Sequence, residues 1–295
     1  MQQGVWCYQS APEPQGHRRA LTLVLVVTAA FMVVELVGGI LANSLALLAD
    51  AGHMFTDVGA LVLALFAAWL ARRPAPPEKT YGYLRAEILA ALVNGGVLLV
   101  LAFLIVRDAI GRFAAPPQVE PRILMSVAAV GLAVNIFGAI MLHRGHQHSL
   151  NVRGAYFHVL GDLLGSIGAL AAGLIILTTG WYLADPVISL GIALLILIGA
   201  FRLLRESTDV LLEATPRHIS LSAVERQIRT VPGVDGVHDL HVWTLTSGVV
   251  AMSGHAIVCE PGRNQQVLEA VQERMGDLGI HHVTLQIERS EMCGG

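Results

Sequence analysis

His53-Met54-Phe55-Thr56-Asp57 lies inside an apolar run over 45–70, and the same spacing returns as His158-Val159-Leu160-Gly161-Asp162 inside a second run, 152–178. Each run is long enough to cross a bilayer as a helix, which takes about 20 mostly apolar residues. Residues four apart share a helix face, so each copy points an imidazole and a carboxylate the same way. Ionisable groups at bilayer depth are costly and mark function by default. Two such faces brought together offer two nitrogens and two oxygens, a set suited to tetrahedral Zn2+.

Outward from these runs the pattern continues. Further apolar stretches cover 20–41, with Glu35 its only charge; 86–110, with Asn94-Gly95-Gly96 near its middle; 123–142, with Asn135; and 186–204. The reading is an α-helical membrane protein of six spans. Composition agrees: of 295 residues, 54% are hydrophobic and 14% charged, with a mean hydropathy of +0.62, which sets the chain apart from soluble enzymes. A net charge of −3 gives no reason to expect nucleic-acid binding. The three cysteines, Cys7, Cys259 and Cys293, are far apart and odd in number, which argues against a disulfide framework. Residues 1–19 are polar, with no apolar segment before a cleavage site, and read as a tail rather than a signal peptide. Gly161, Gly165, Gly168 and Gly173 predict close helix contacts in lipid.

Basic residues set the orientation. With six spans, Arg18, Arg19, Arg72, Arg73, Lys79, Arg85, Arg144, Arg153, Arg202 and Arg205 fall on one side, and Arg107, Arg112 and Arg122 on the other. The positive-inside rule then places both termini in the cytoplasm. Depth favours pairing of the two motifs. His53 and Asp57 come about 12 and 18 Å below the start of their span, and His158 and Asp162 about 9 and 15 Å above the start of theirs, at ~1.5 Å per residue. In a core about 30 Å thick these heights overlap.

Two carboxylates, two neutral imidazoles and one Zn2+ sum to zero charge. Emptied, the site holds two buried negative charges, which protons would relieve. Metal and protons compete for the same ligands, so proton–metal antiport follows as an expectation. The plain alternative for either pair alone is a packing histidine bonded to a neighbouring helix; matched spacing and depth in both pairs favour the site. Asp50, one turn from His53, is an entrance ligand or a wet helix end. Glu35 pairs with a polar neighbour or lines a pathway, and Asn94 and Asn135 read as interhelical hydrogen-bonding residues.

Beyond about residue 206 the composition changes. An amphipathic helix is expected over 221–231, capped by Ser220 or Ser222 and stopped by Pro232-Gly233. Strands follow over 237–245 and 249–259 around a Ser247-Gly248 turn, then a helix over 265–278 and a strand over 282–288. The expected organisation is a cytosolic tail, 1–19, a six-helix membrane domain, 20–206, and a small cytosolic α+β domain, 207–295.

The stretches 47–57, Tyr81-Gly82-Tyr83-Leu84-Arg85, 158–166, Asp185-Pro186 and 211–216 together resemble the cation diffusion facilitator family, over about residues 18–290. The resemblance implies a homodimer with six transmembrane helices per subunit and a metallochaperone-like, ferredoxin-like cytosolic domain. It also implies proton-coupled efflux of divalent cations from the cytoplasm, in a bacterial inner membrane. The His-Asp/His-Asp set resembles that of zinc-preferring members, with Cd2+ and Co2+ as further candidates. Two imidazoles are softer than carboxylates, which fits Zn2+ over Mn2+. Some relatives carry another metal site in the loop between the second and third helices; here that loop has Glu78 but no histidine, so none is expected.

In the cytosolic domain His238, Asp239, His241, His255, His281, His282, Glu288 and Cys293 crowd together in sequence. Family members place metal at positions matching His238, His255 and Glu288, where zinc would serve as a regulatory ligand; surface imidazoles without metal are the alternative. His143, His146 and His148 either collect zinc or solvate a turn. An intramembrane zinc hydrolase would need a general base such as that of an HExxH helix, which the sequence lacks. A membrane-anchored zinc sensor is the remaining alternative, though an anchor needs no intramembrane ligands. The topology is directly testable: a reporter fused after Gly180 is expected on the outer face, and a cytoplasmic signal there would overturn the six-span orientation.

Overall fold

The computed structural model describes residues 15–143 and 150–289. The N-terminal tail up to residue 14, His146, His148, Cys7 and Cys293 fall outside these residues. Six long helices come first: α1 (Gln15–Ala42), α2 (Leu45–Ala71), α3 (Ala86–Ala114), α4 (Pro121–His143), α5 (Leu150–Thr179) and α6 (Ala184–Leu211). All six are long and apolar enough to cross a membrane. Ile40, Phe66, Phe103, Ile140 and Phe201 are more than half exposed on them, as suits side chains that meet lipid.

Two helices outrun their apolar stretches. α3 continues to Ala114, past the end of its apolar stretch at 110, so Arg112 is helical. α6 continues to Leu211, past the expected junction at 206. The reason is that hydropathy reports the bilayer edge and not the helix end. Beyond it, i,i+4 ion pairs carry the helices on: Arg112 Nε to Asp108 at 3.1 Å and Arg202 Nε to Glu206 at 3.1 Å.

The chain divides into two compact units, the first comprising residues 1–59 and 97–200. Its helices approach through small residues, as expected in lipid, where close van der Waals packing drives association. A Cβ at Gly173 would lie 2.5 Å from Met125 Cγ, one at Gly131 2.7 Å from Phe31 Cζ, and one at Gly168 3.0 Å from Ile188 Cγ2. Gly161, expected in the same series, meets nothing within 4 Å. Asn135 Nδ2 donates to Ser166 Oγ at 3.1 Å, tying α4 to α5. Leu47, Leu124, Ala128, Ala172 and Ile196 are buried in the shared core.

The start of α2 is fixed by a carboxylate from another helix. Asp185, in the first turn of α6, is fully buried. It accepts from the Leu45 N–H at 2.7 Å, the Ala46 N–H at 3.3 Å and the Ser44 hydroxyl at 2.5 Å. Arg112 Nη1 stands 3.5 Å away and also donates to the Asn43 carbonyl at 2.7 Å. Asn43 itself has φ 53°, a left-handed conformation that asparagine tolerates better than most residues. The first N–H groups of a helix have no partner within it; here a negative charge answers them at the positive end of the helix dipole.

The second unit comprises residues 60–96 and 201–295. After α6 it contains α7 (Leu221–Arg229), β1 (Gly236–Thr246), β2 (Val249–Ile257), a 3-10 turn at Pro261–Arg263, α8 (Asn264–Asp277) and β3 (Ile280–Glu288). This is the expected helix-strand-strand-helix-strand order. β1 pairs antiparallel with β2 through a turn at Ser247-Gly248, where Gly248 has φ 76°, and β2 pairs parallel with β3. Val224 and Ile228 of α7 and Val267, Val271 and Met275 of α8 bury one face of the sheet together with Val237, Val242, Val250, Met252 and Ile280. Ser220 stands at the N-cap of α7 but makes no side-chain cap bond; its hydroxyl pairs with that of Ser222 at 2.9 Å. Within the same unit, Glu87 at the start of α3 accepts from the Thr246 and Ser247 hydroxyls at 2.6 and 2.8 Å, and Arg85 pairs with Glu213 at 2.6 Å. Cys259 is disulfide-bonded, although the odd number and wide spacing of the cysteines argue against a disulfide framework.

Removing the α2 cap has a predictable effect. Asp185→Ala strands several buried donors, at about 1–3 kcal/mol for each unsatisfied group. A clear drop in the thermal midpoint of the detergent-solubilised chain is expected, and a smaller one for Asp185→Asn, whose amide oxygen still accepts. Equal midpoints for Asp185→Ala and the parent chain would contradict the capping role.

Candidate metal centres

His53 and Asp57 on α2 and His158 and Asp162 on α5 converge within the first unit. His53 Nδ1 lies 3.7 Å from Asp57 Oδ2, His158 Nε2 lies 3.4 Å from the same oxygen, and His158 Nε2 lies 3.5 Å from Asp162 Oδ2. The two rings are 5.6 Å apart, centre to centre, in an edge-on arrangement. The ligand atoms of His53, His158 and Asp162 all fall within 4.8 Å of one another. For zinc bonds of about 2.0–2.1 Å, tetrahedral ligand atoms stand about 3.3–3.4 Å apart. The three His–Asp spacings of 3.4–3.7 Å are close to that edge length.

The hydrogen bonding points the same way. Among the described residues, His53 Nδ1, Asp57 Oδ2 and Asp162 Oδ2 are buried and have no hydrogen-bond partner. Buried polar atoms are nearly always paired, and each orphan calls for an explanation. Here three donor atoms of one cluster lack partners together, which is the condition of ligands arranged for a cation. Asp162 is the innermost, with 3% of its side chain exposed, whereas His158 is 38% exposed.

Beside this cage lies a second pair of acids. Asp50 is buried, which overturns its reading as a wet helix end. It adjoins Glu35 of α1, itself 1% exposed, and both feel the charge of Asp162. Glu35 Oε2 has no hydrogen-bond partner among the described residues. Gly165 makes room for this pair, since a Cβ there would lie 3.3 Å from Asp50 Oδ2. Glu35 and Asp50 sit on different helices, so no spacing in the sequence announces their contact.

The outer face of the sheet carries the second cluster. The register sets His238 opposite His255, and His255 opposite Gln286. Glu288, two residues beyond Gln286, therefore shares their face. Glu288 bonds both rings, Oε1 to His255 Nδ1 at 2.7 Å and Oε2 to His238 Nε2 at 3.1 Å. Desolvation, the largest single influence on the Glu288 carboxyl, pushes it up, but the hydrogen bonds and charge of His255 and His238 together hold it below the ordinary glutamate range. These three residues form a second group whose ligand atoms lie within 4.8 Å of one another.

A bulge adds to this face a residue that strict alternation would send elsewhere. Between the pairs His238↔His255 and His241↔Ser253, two residues of β1, Asp239 and Leu240, oppose only Gly254. The extra residue flips the parity of the strand, and His241 joins His238 on the outer face. Asp239 takes φ 51° and accepts from His241 Nε2 at 3.0 Å. Neither His281 nor His282 joins the cluster; His282 meets the Tyr81 ring at 5.9 Å. His143, at the end of α4, meets Tyr156 at 5.8 Å.

Six membrane-capable helices and a small terminal α+β domain define a multi-pass membrane protein. Residues 21–212 match the cation efflux transmembrane domain, and residues 216–290 match the cytoplasmic domain of cation efflux proteins. The chain belongs to the cation efflux family, the cation diffusion facilitators, a family of transporters and not of enzymes. It is 46% identical over 280 residues to the zinc transporter ZitB of Escherichia coli K12, spanning 94% of this chain and 89% of that one. It is 43% identical over 282 residues to the metal cation efflux system protein CzcD of Cupriavidus metallidurans, spanning 95% and 89%. It is 42% identical over 277 residues to the cadmium, cobalt and zinc/H(+)-K(+) antiporter of Bacillus velezensis, spanning 92% and 88%.

The packing beside the cage gives a matched pair of variants. Gly165→Val must displace the buried Asp50 carboxyl and is expected to destabilise by about 1–3 kcal/mol. Gly161→Ala meets nothing within 4 Å and is expected to be neutral or slightly stabilising. Thermal midpoints in one detergent check both; similar midpoints would contradict the close approach of Asp50 to α5.

Proposed function

We propose that the chain is a proton-coupled exporter of divalent metal cations, with Zn2+ as its principal substrate and Cd2+ and Co2+ as further ones. The observation that carries this reading is the cluster of His53, Asp57, His158 and Asp162, with three His–Asp approaches near zinc spacing and three buried atoms, His53 Nδ1, Asp57 Oδ2 and Asp162 Oδ2, without hydrogen bonds. Two imidazoles and two carboxylates suit a borderline-soft cation. The names of the relatives, which include zinc, cadmium and cobalt transporters and an antiporter, support the same substrate class.

Proton coupling follows from charge. Zn2+ on two carboxylates and two neutral imidazoles leaves the cage neutral, and its departure leaves uncompensated negative charge. Glu35 and Asp50 add two more buried acids alongside. A low-dielectric interior does not hold that much like charge unbalanced. Protons arriving from the outer side can take the place of the ion, and deprotonation towards the cytoplasm readies the ligands again.

The wider arrangement belongs to the same proposal. The working unit is a homodimer in a bacterial inner membrane with both termini in the cytoplasm, consistent with the dimer-type cytoplasmic domain matched over 216–290. The tail 1–19 and the domain 207–295 lie in the cytoplasm, and 20–206 carries out transport. Zinc held by His238, His255 and Glu288 acts as a cytosolic regulatory ligand.

Zinc uptake into inside-out vesicles tests the main claim. Acid inside the vesicles should accelerate Zn2+ uptake, and an ionophore that collapses the gradient should remove the acceleration. Asp57→Ala and Asp162→Ala should reduce uptake to background, with Cd2+ and Co2+ competing better than Mn2+. Zinc flux indifferent to the gradient would refute antiport, and full flux in the Asp162→Ala chain would refute the cage.

A further inference from the structure

The outer-face cluster of the sheet holds its ring nitrogens in hydrogen bonds that a metal must break. His255 Nδ1 and His238 Nε2 each bond Glu288. An ionised carboxylate only accepts, so both nitrogens carry a proton in this state. A metal needs their lone pairs instead. In neutral His255 the remaining proton then resides on Nε2. That nitrogen faces Asp239 Oδ2 at 3.7 Å, while the other Asp239 oxygen is held by His241 Nε2 at 3.0 Å.

The backbone of Asp239 is the second observation. Its φ of 51° is left-handed, a conformation costing on the order of 1 kcal/mol or more outside glycine. It belongs to the bulge opposite Gly254, and its side chain is 59% exposed. The apolar core gains nothing from an exposed carboxylate there. Bulges re-aim side chains next to functional sites, and here the bulge delivers both Asp239 and His241 to the rear of a candidate ligand ring. Histidines that bind metal almost always donate their other N–H to a carboxylate, carbonyl or water.

We propose that Asp239 is a positioning residue for His255: it accepts the Nε2 proton when Nδ1 turns to the metal, and His241 steadies its carboxylate. This rests on the reading of His238, His255 and Glu288 as a zinc site. The exposed Asp239 side chain closes the 3.7 Å gap by rotation about its own bonds.

The test uses the full chain carrying Asp57→Ala and Asp162→Ala, so that the membrane cage is silent. Zn2+ affinity is measured by competition with a chromophoric chelator, and the thermal midpoint is measured without metal. Asp239→Asn and Asp239→Gly should each weaken zinc binding about 10–100-fold, with a smaller loss for His241→Ala. Glycine relieves the left-handed backbone, so the metal-free Asp239→Gly chain should be no less stable than its parent. Affinity and stability then move apart, which a merely structural role would not produce. Unchanged affinity in both Asp239 variants overturns the assignment, as does a loss of affinity that tracks a loss of stability. If the parent with its sheet intact binds no Zn2+, it is the zinc reading of the sheet that fails, and the role of Asp239 with it.

Discussion

Two histidines and two aspartates from two helices meet where lipid-depth helices pack, with three His–Asp approaches of 3.4–3.7 Å, and three of their polar atoms lack a hydrogen bond. A protein interior ordinarily does not tolerate such a group, because each unpaired polar atom there costs free energy that packing must offset. The rest of the first unit can be understood as what holds these atoms in place. Glycines let α1, α4, α5 and α6 close on one another, and the closeness leaves the acids little room to turn away.

The depth of the cage is set some distance from it. Asp185 gathers the N–H groups of Leu45 and Ala46 and the Ser44 hydroxyl, and so fixes where α2 begins. His53 and Asp57 follow about two and three turns later at 3.6 residues per turn. A helix is stiff along its axis, so a cap at Leu45 determines how far down those side chains lie. The same carboxylate stands near Arg112 of α3. One buried acid therefore links the entrance of α2, the end of α3 and the first turn of α6. In the sequence it was visible only as part of Asp185-Pro186, a family motif without a stated role.

What could be read from the chain divides along the range of the interactions. The six spans, the order of elements in the small domain and the shared face of each His/Asp pair depend on periods of two and 3.6 residues, which are local. The contact of Glu35 with Asp50 depends on which helix faces which, and no period carries that. Asp50 looked like a candidate for hydration because it lies close to the start of α2, yet α1 and α5 cover it. The ends of α3 and α6 run past their apolar stretches because apolar composition stops at the lipid surface while charge pairs such as Arg202–Glu206 continue the helix. In the sheet, the register brings His238, His255 and Glu288 to one face. His241 reaches the same face only because one additional residue in β1 reverses every side chain after it, a feature that strand alternation alone does not carry.

The two clusters also differ in how they stand before any ion arrives, and the difference suits different tasks. In the sheet, Glu288 already bonds both imidazoles. A metal there must displace existing hydrogen bonds, so its net gain is moderated, and the apo state is comfortable. That is what the proposed regulatory zinc site would require of a metal that comes and goes. In the membrane three buried atoms of the cluster, His53 Nδ1, Asp57 Oδ2 and Asp162 Oδ2, are unpaired, so the apo state is the uncomfortable one. An ion held on such terms does not leave readily unless something else answers the negative charge it uncovers. The exchange of the ion for protons is then the condition for release, and the buried acids Glu35 and Asp50 raise that requirement by adding charge beside the same two helices.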